Sequence, residues 1–371
     1  MKVPQFMPYV DMEDYASLED SFRDNWITEG PKSKIFSERL RDHIGVRYGC
    51  FAPNGTLAIY LALRAAGIGQ GDEVIVPDFT FIATANAVEM VGATPVFVDI
   101  DPKNLQIDVK KCEAAITERT AAIMPAHLYG FSCDLIAIRK ICNRHNLALI
   151  EDASQAFGVE HNGIPCGSMG DLATFSFFAD KTITTGEGGF VVTNCKCSYN
   201  SMLYLRNQGR IDRGTFIHPE IGYNFRMTDI QASLGISQLD KLGEIIRLKS
   251  NIHAHYTERL ADVEEVMIYQ PSEEITSFIP FRVVMKVENG PSQGMMDFMK
   301  ASGIEPRTFF YPLHKQPCFA GYMQDERYQD ASFTASTHAY SRGVCLPSYA
   351  SLTEEQVDYV CDTVKEYLAN G

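Results

Sequence analysis

An α/β fold with a mostly parallel central sheet, followed by a smaller α+β domain, is the architecture this sequence predicts. From about residue 45 to 195, short β-rich runs alternate with helix-like stretches, which is how parallel strands joined by crossover helices read. The β-rich runs are apolar almost throughout, as strands buried on both faces must be. Near residues 240 to 250 the alternation gives way to a long helical stretch, which divides the chain into a large domain, residues 1–245, and a small one, residues 246–371.

The expected strands are residues 74–77, 95–98, 121–125, 148–151 and 174–177, with residues 189–193 as one more after a glycine-rich turn. Residues 56–66 are expected to be helical, after a polar Pro-Asn-Gly turn. Residues 135–145 place Leu135, Ile138, Ile141 and Cys142 on one helical face. A longer helix is expected from Thr228, a plausible N-cap, past Leu242 and as far as Leu260. The last helix starts at Thr353, where Gln356 three residues on completes a capping box, and its apolar face runs from Val357 to Leu368.

The 371 residues suffice for two domains with a sizeable core, and 45% hydrophobic with 22% charged residues is ordinary for a soluble globular protein. A net charge of −14 argues against a nucleic-acid partner, because there is no basic surplus to neutralise phosphates. No apolar run approaches the roughly 20 residues of a membrane span. Residues 1–14 lack the basic-then-apolar order of a signal peptide. Ten scattered cysteines without a CxxC pair read as thiols in a reducing cytoplasm, and no metal site is expected.

Four segments meet if the sheet is parallel, because sites gather at the carboxyl ends of its strands. Gly55 and Thr56 open a helix after Asn54, where free N–H groups and a hydroxyl suit a phosphate; a simple cap is the plainer alternative. Phe81 follows a strand and could lie flat on a planar ring, although an aromatic there is more often core. Asp152 and Gln155 end an apolar strand; the acid alone reads equally as a magnesium ligand or a helix cap. Ser176 and Lys181 lead into Gly186-Glu187-Gly188-Gly189, which allows a tight return to the sheet. A lysine on a turn plus an acid at a strand end are what a pyridoxal 5′-phosphate enzyme needs, one to bond the aldehyde and the other to pair with the pyridine nitrogen.

These segments resemble the DegT/DnrJ/EryC1/StrS sugar aminotransferases. The resemblance runs from about Trp26 to the C-terminus. It rests on Asn-Gly-Thr at 54–56, Gly-Asp-Glu-Val-Ile-Val-Pro at 71–77, Glu-Asp-Ala-Ser-Gln at 151–155, the segment from Ser176 through Lys181 to Gly189, and residues 222–229. It implies the aspartate-aminotransferase-like fold (PLP fold type I) and pyridoxal 5′-phosphate as cofactor. It also implies that Lys181 forms the Schiff base, Asp152 holds the pyridine nitrogen and Gln155 lies near the ring hydroxyl. Gly55, Thr56 and Ser176 would then bind the phosphate, and Phe81 would cover the ring. Asn224 is expected to reach the neighbouring subunit's cofactor phosphate, which makes the active unit a homodimer, open to pairing into a tetramer; a loop that only caps the next helix is the alternative for Asn224 and Arg226.

Within the family, Trp26 to Gly30 and the stretch from Gly303 to His314 look most like GDP-perosamine synthases. That likeness implies glutamate as amino donor and a nucleotide-linked keto sugar, GDP-4-keto-6-deoxymannose, aminated at C4 for O-antigen and lipopolysaccharide biosynthesis. Trp26, Thr28, Arg226, Arg307, Tyr311 and His314 become candidate substrate contacts, with Tyr311 standing where some relatives carry a histidine. Arg307 and Lys315 could equally be a solvated cationic patch.

Among rivals, a sugar 3-dehydratase of the same fold would carry histidine in place of Lys181. A nicotinamide-dependent oxidoreductase would need a GxGxxG after the first strand, and none is present. A non-catalytic regulator that binds DNA would need a basic helix-turn-helix module, which neither end has room for.

Overall fold

The computed structural model describes residues 1–211, 214 and 216–370. In chain order the first elements are α1 (Met12–Arg23), α2 (Pro31–Ile44), β1 (Tyr48–Ala52), α3 (Gly55–Ala65), β2 (Glu73–Pro77), α4 (Ala83–Met90), β3 (Thr94–Val98), α5 (Val109–Ala114) and β4 (Thr120–Ile123). Next come α6 (Leu135–His145), β5 (Ala148–Asp152), β6 (Glu160–His161), β7 (Ile164–Pro165), β8 (Leu172–Ser176), β9 (Gly189–Thr193) and α7 (Lys196–Arg206). The rest are α8 (Asp229–Asp240), α9 (Leu242–Arg259), β10 (Val266–Ile268), β11 (Ile275–Ser277), β12 (Val283–Val287), α10 (Gln293–Ala301), β13 (Arg307–Thr308), α11 (Thr334–Arg342), β14 (Gly343–Leu346) and α12 (Glu354–Asn370).

The central sheet has seven strands in the order β1-β9-β8-β5-β4-β2-β3. Only β9 runs against its neighbours; the other pairings are parallel. This is the mostly parallel α/β fold the sequence predicts. β2 and β9 are buried along their whole lengths, which explains their unbroken apolar runs. The carboxyl ends of β2, β5 and β8 therefore open on one edge, and the segments that follow them carry the candidate site.

A second sheet, β10-β12-β14-β13, is antiparallel, and α10 and α12 share its core. Its core joins Val283, Met285, Met299 and Val360. Val3, at the opposite end of the chain, sits in that same core and bridges to Ile304. α9 links the two regions, since Leu242 and Ile245 pack with the core under β8 and β9, while Ile252 and Tyr256 pack with the second sheet.

Two local expectations need correction. The stretch from Thr228 to Leu260 is two helices, because Lys241 leaves helical geometry (φ −90°, ψ 0°). Its ammonium there bonds Asp11 at 2.8 Å and Asp14 at 2.5 Å, tying the N-terminal segment to the turn. Residues 48–52 were not foreseen as a strand; Tyr48-Gly49-Cys50 carries no long apolar run, and the pairing with β9 makes the strand. The capping boxes at Thr228 and Thr353 are present.

Candidate active site

A cavity of about 880 Å³ lies where the β2, β5 and β8 ends face the second sheet. Its volume is that of a pocket taking a drug-sized ligand. One wall is the start of α3. Asn54 caps this helix by accepting from the Leu57 N–H at 3.0 Å, which leaves the Gly55 and Thr56 N–H groups without acceptors among the described residues. Ser176, at the end of β8, stands against them. A Cβ on Gly55 would come within 2.9 Å of Ser176 Cβ, so glycine lets helix and strand close into a cradle. The donors, the hydroxyls and the positive end of a helix of 11 residues make an anion site.

Asp152 is the last residue of β5 and 7% exposed, toward the cavity it lines. Its carboxylate accepts from the Thr84 hydroxyl at 2.8 Å and the Ser154 N–H at 3.2 Å. Gln155 is oriented by the Tyr129 N–H, which donates to its Oε1 at 2.9 Å. That fixes the amide so that its Nε2, unpaired among the described residues, is the donor left for a ligand in the cavity. Thr84, which aims Asp152, was missed by sequence reasoning; its spacing of four from Thr80 in a helix that opens beside the strand ends was the available signal.

Lys181 sits on the turn after β8, where its N–H donates to the Phe178 carbonyl at 3.0 Å. The chain returns through Gly186, whose φ of +77° favours glycine. The Lys181 ammonium lies 4.8 Å from the centre of the Phe281 ring. Burial holds its pKa below the ordinary lysine value; the charges of Asp180 and Asp152 oppose that, and Arg282 adds to it. Lys181 and Asp152 thus open into one cavity, and the Asp152 charge acts on the Lys181 amine.

Phe81 is not core. It is 56% exposed and lines the cavity, with its ring edge-on to Phe310 at 6.4 Å, while Phe79 two residues earlier is the buried one. Arg307 and Tyr311 also line the cavity, from the side of the second sheet. Lys300 joins them on the same side and was not foreseen. Arg282, likewise unforeseen, is buried and donates to Asp180 at 2.6 Å beside Lys181.

His314 is corrected. It is buried, its Nδ1 is 2.8 Å from Asp78 and its Nε2 is 3.1 Å from Asp330, and its ring stacks on Phe333. With both nitrogens engaged it pins the segment to the end of β2 and does not line the cavity. Trp26, Thr28, Arg226 and Asn224 also lie away from this chain's own cavity. Trp26 donates to the Glu29 carbonyl, the Thr28 carbonyl accepts from the Asp229 N–H, Arg226 donates to Asn207, and Asn224 bridges Asn207.

A lysine, a carboxylate, an oriented amide and an anion cradle around one cavity fit pyridoxal 5′-phosphate. The sequence pattern of the DegT/DnrJ/EryC1/StrS aminotransferase family matches residues 8–365. The chain belongs to that family. As a DegT-family member it is 35% identical over 367 residues to the GDP-perosamine synthase of Vibrio cholerae, covering 98% of this chain and 99% of that one. It is 34% identical to the dTDP-4-amino-4,6-dideoxy-D-glucose transaminase of Shigella dysenteriae, covering 98% and 95%. Among solved structures, Spr1654 of Streptococcus pneumoniae in its PLP form superposes with a TM-score of 0.94 at 26% identity, over 100% of this chain and 99% of that one. The mostly parallel sheet is consistent with that likeness, and the fold is that of the PLP-dependent sugar aminotransferases.

Proposed function

We propose that this PLP-dependent sugar aminotransferase moves the amino group of glutamate to C4 of a nucleotide-linked 4-keto-6-deoxyhexose, with GDP-4-keto-6-deoxymannose the leading substrate and GDP-perosamine the product. One observation carries the chemistry: the Lys181 amine and the Asp152 carboxylate open into a single cavity that has an anion cradle on its wall. Bound there, pyridoxal phosphate supplies an electron sink that acidifies the Cα–H of an amino acid.

The chain's own residues do the rest. The Gly55 and Thr56 N–H groups with Ser176 bind the phosphate, and Phe81 covers one ring face. Asp152 is held in place by Thr84 and Ser154, so a negative charge faces the pyridine nitrogen and keeps it protonated. Gln155 Nε2 donates to the ring hydroxyl. Lys181 takes the proton from Cα of glutamate and later gives one to C4 of the sugar. Burial favours its neutral form, and only a neutral amine can accept that proton. Arg307 and Lys300 lie where a diphosphate could be met, and Tyr311 where the hexose would rest.

Asn224, Arg226, Trp26 and Thr28 lie outside this cavity, and we assign them to a partner subunit's site in a homodimer, in which Asn224 reaches the other cofactor's phosphate. Free thiols at all ten cysteines favour a cytoplasmic location; among the described residues no helix is long and apolar enough to cross a membrane. GDP is preferred over dTDP because of the Vibrio cholerae relative, although the Shigella relative is almost as similar. A panel of GDP-, UDP- and dTDP-linked keto sugars offered with glutamate, read by product mass, tests this. A +1 Da product from the GDP sugar alone supports the reading; amination of only the dTDP or UDP sugar overturns the nucleotide.

A further inference from the structure

Arg282, just before β12, is 4% exposed and lines the cavity together with Asp180 and Lys181. Its Nη2 donates to Asp180 Oδ2 at 2.6 Å, which ties it to the residue preceding Lys181. The Arg282 guanidinium carbon and the Lys181 ammonium lie 4.9 and 4.8 Å from the centre of the same Phe281 ring. Asp180 takes only part of the guanidinium. Nε and Nη1 find no acceptor among the described residues, and neither is sealed inside the protein. A buried cation fixed by one carboxylate, with donors still open to a cavity, is built to receive a second anion.

Arg307, on β13, flanks it. The Arg282 and Arg307 guanidinium carbons are 5.6 and 5.3 Å from the centre of the Phe6 ring, and the Arg307 charge acts on Arg282. Among the described residues Asp180 is the one carboxylate bonded to this pair, and Arg307 makes no hydrogen bond or ion pair. This wall of the cavity therefore carries a positive excess, which an entering anion offsets.

We propose that Arg282 receives the α-carboxylate of the amino donor and that Asp180 orients it for that task. The inference rests on the reading of Lys181 as the reactive amine and of the other substrate as a nucleotide-linked 4-keto sugar. The two substrates take one cavity in turn and carry their negative charge in different places. The α-carboxylate of an amino acid sits on the carbon whose proton Lys181 removes, so its partner must stand beside Lys181. The diphosphate of the sugar hangs from C1, across the hexose ring from C4, so its partners must stand farther out. Arg282 is buried beside Lys181, whereas Arg307 is exposed. A planar fork grips a carboxylate through parallel N–H bonds, and that grip also sets which bond of Cα faces the lysine.

The test uses the holoenzyme and needs no sugar. Glutarate, a dicarboxylate without an amine, is titrated by calorimetry into the wild type, Arg282→Met and Arg282→Lys. Arg282→Met is expected to weaken glutarate binding by roughly 10- to 100-fold, as the loss of a charged hydrogen bond does. Arg282→Lys, which keeps the charge without the fork, should lose less, and inorganic pyrophosphate should bind all three alike. Bleaching of the yellow cofactor is then followed with glutamate and with isoglutamine, its α-amide. The wild type should need roughly 10-fold more isoglutamine for the same rate, and Arg282→Met should need similar amounts of both. Unchanged glutarate affinity in a folded Arg282→Met protein, or an undiminished preference for glutamate over isoglutamine, overturns the proposal. So does a loss confined to pyrophosphate, which would hand Arg282 to the sugar diphosphate. If Arg282→Met fails to fold because it strands the Asp180 charge, the double variant Arg282→Met/Asp180→Asn carries the same comparison. A wild type that glutamate does not bleach, but whose glutarate binding depends on Arg282, sinks the glutamate reading and leaves the carboxylate site standing.

Discussion

Two acids stand at the carboxyl ends of parallel strands in the same sheet: Asp78 just after β2 and Asp152 at the tip of β5. They have opposite fates. Asp78 is filled by its own chain, taking the His314 N–H and ring nitrogen each at 2.8 Å; burial drives its pKa up while the histidine contacts restrain the rise. Among the described residues the Asp152 carboxylate receives only the Thr84 hydroxyl and the Ser154 N–H, small neutral donors that orient it toward the cavity. A strand-end carboxylate therefore marks where a partner is needed, and the fold decides whether the partner is a side chain or a ligand. Glu151, adjacent to Asp152 but on the opposite side of the strand, repeats the first outcome, accepting from the Gly167, Met169 and Gly170 N–H groups beside His127.

The largest break comes on the open side of this comparison, at the lysine that shares the cavity with Asp152. Lys181→Ala is expected to lower turnover by at least about 10³-fold, with an unchanged melting curve and retained binding of pyridoxamine phosphate and sugar. Steady-state assays and calorimetry check both halves, and wild-type turnover without added amines would refute the assignment of the base.

Asp152→Asn keeps the shape and loses the charge. If Asp152 holds the ring nitrogen as proposed, a fall in kcat of about 10²-fold is expected, with little change in stability, because the anion that would keep that nitrogen protonated is gone.

Asp78→Asn should do the reverse. Breaking one side of a buried pair costs roughly 3 kcal/mol, so denaturant midpoints should fall while kcat per folded molecule stays within about two-fold. A large kcat loss in that variant, with stability intact, would put Asp78 and His314 in the chemistry after all.

Smaller effects sharpen the cavity side. Arg307→Ala is expected to raise KM for the nucleotide sugar about 10-fold, as the loss of a charged hydrogen bond near 1.5 kcal/mol would do, and to leave KM for glutamate alone. Phe81→Leu removes a ring face worth about 1 kcal/mol and should weaken cofactor retention a few-fold in an equilibrium dialysis measurement.

Much of the cavity floor was legible because each of its parts is local. Asp152 directly ends an apolar strand, Lys181 lies five residues past Ser176, and Gly55 begins a helix after a capping asparagine. The second-sheet side was legible only in part. Arg307 and Tyr311 reach the cavity, whereas His314, three residues beyond Tyr311, turns inward to Asp78 because the backbone there also bonds the end of β2. Phe79 and Phe81 differ in the same way: their residue type is identical and only the turn of the chain buries one and bares the other. Thr84 left only its spacing from Thr80 and Arg282 left no mark, since their partners lie 68 and 102 residues away.

The sequence by itself determined the alternating architecture, most of the sheet, the cofactor class and the lysine–aspartate pair, because buried strands, capped helices and tight turns are written in neighbouring residues. Tertiary structure alone decided which acids stay open to a ligand, that Lys241 breaks the long helix, and that Arg282 meets Asp180 beside Lys181. Those outcomes depend on which distant groups arrive to satisfy a charge, and no local spacing encodes an arrival.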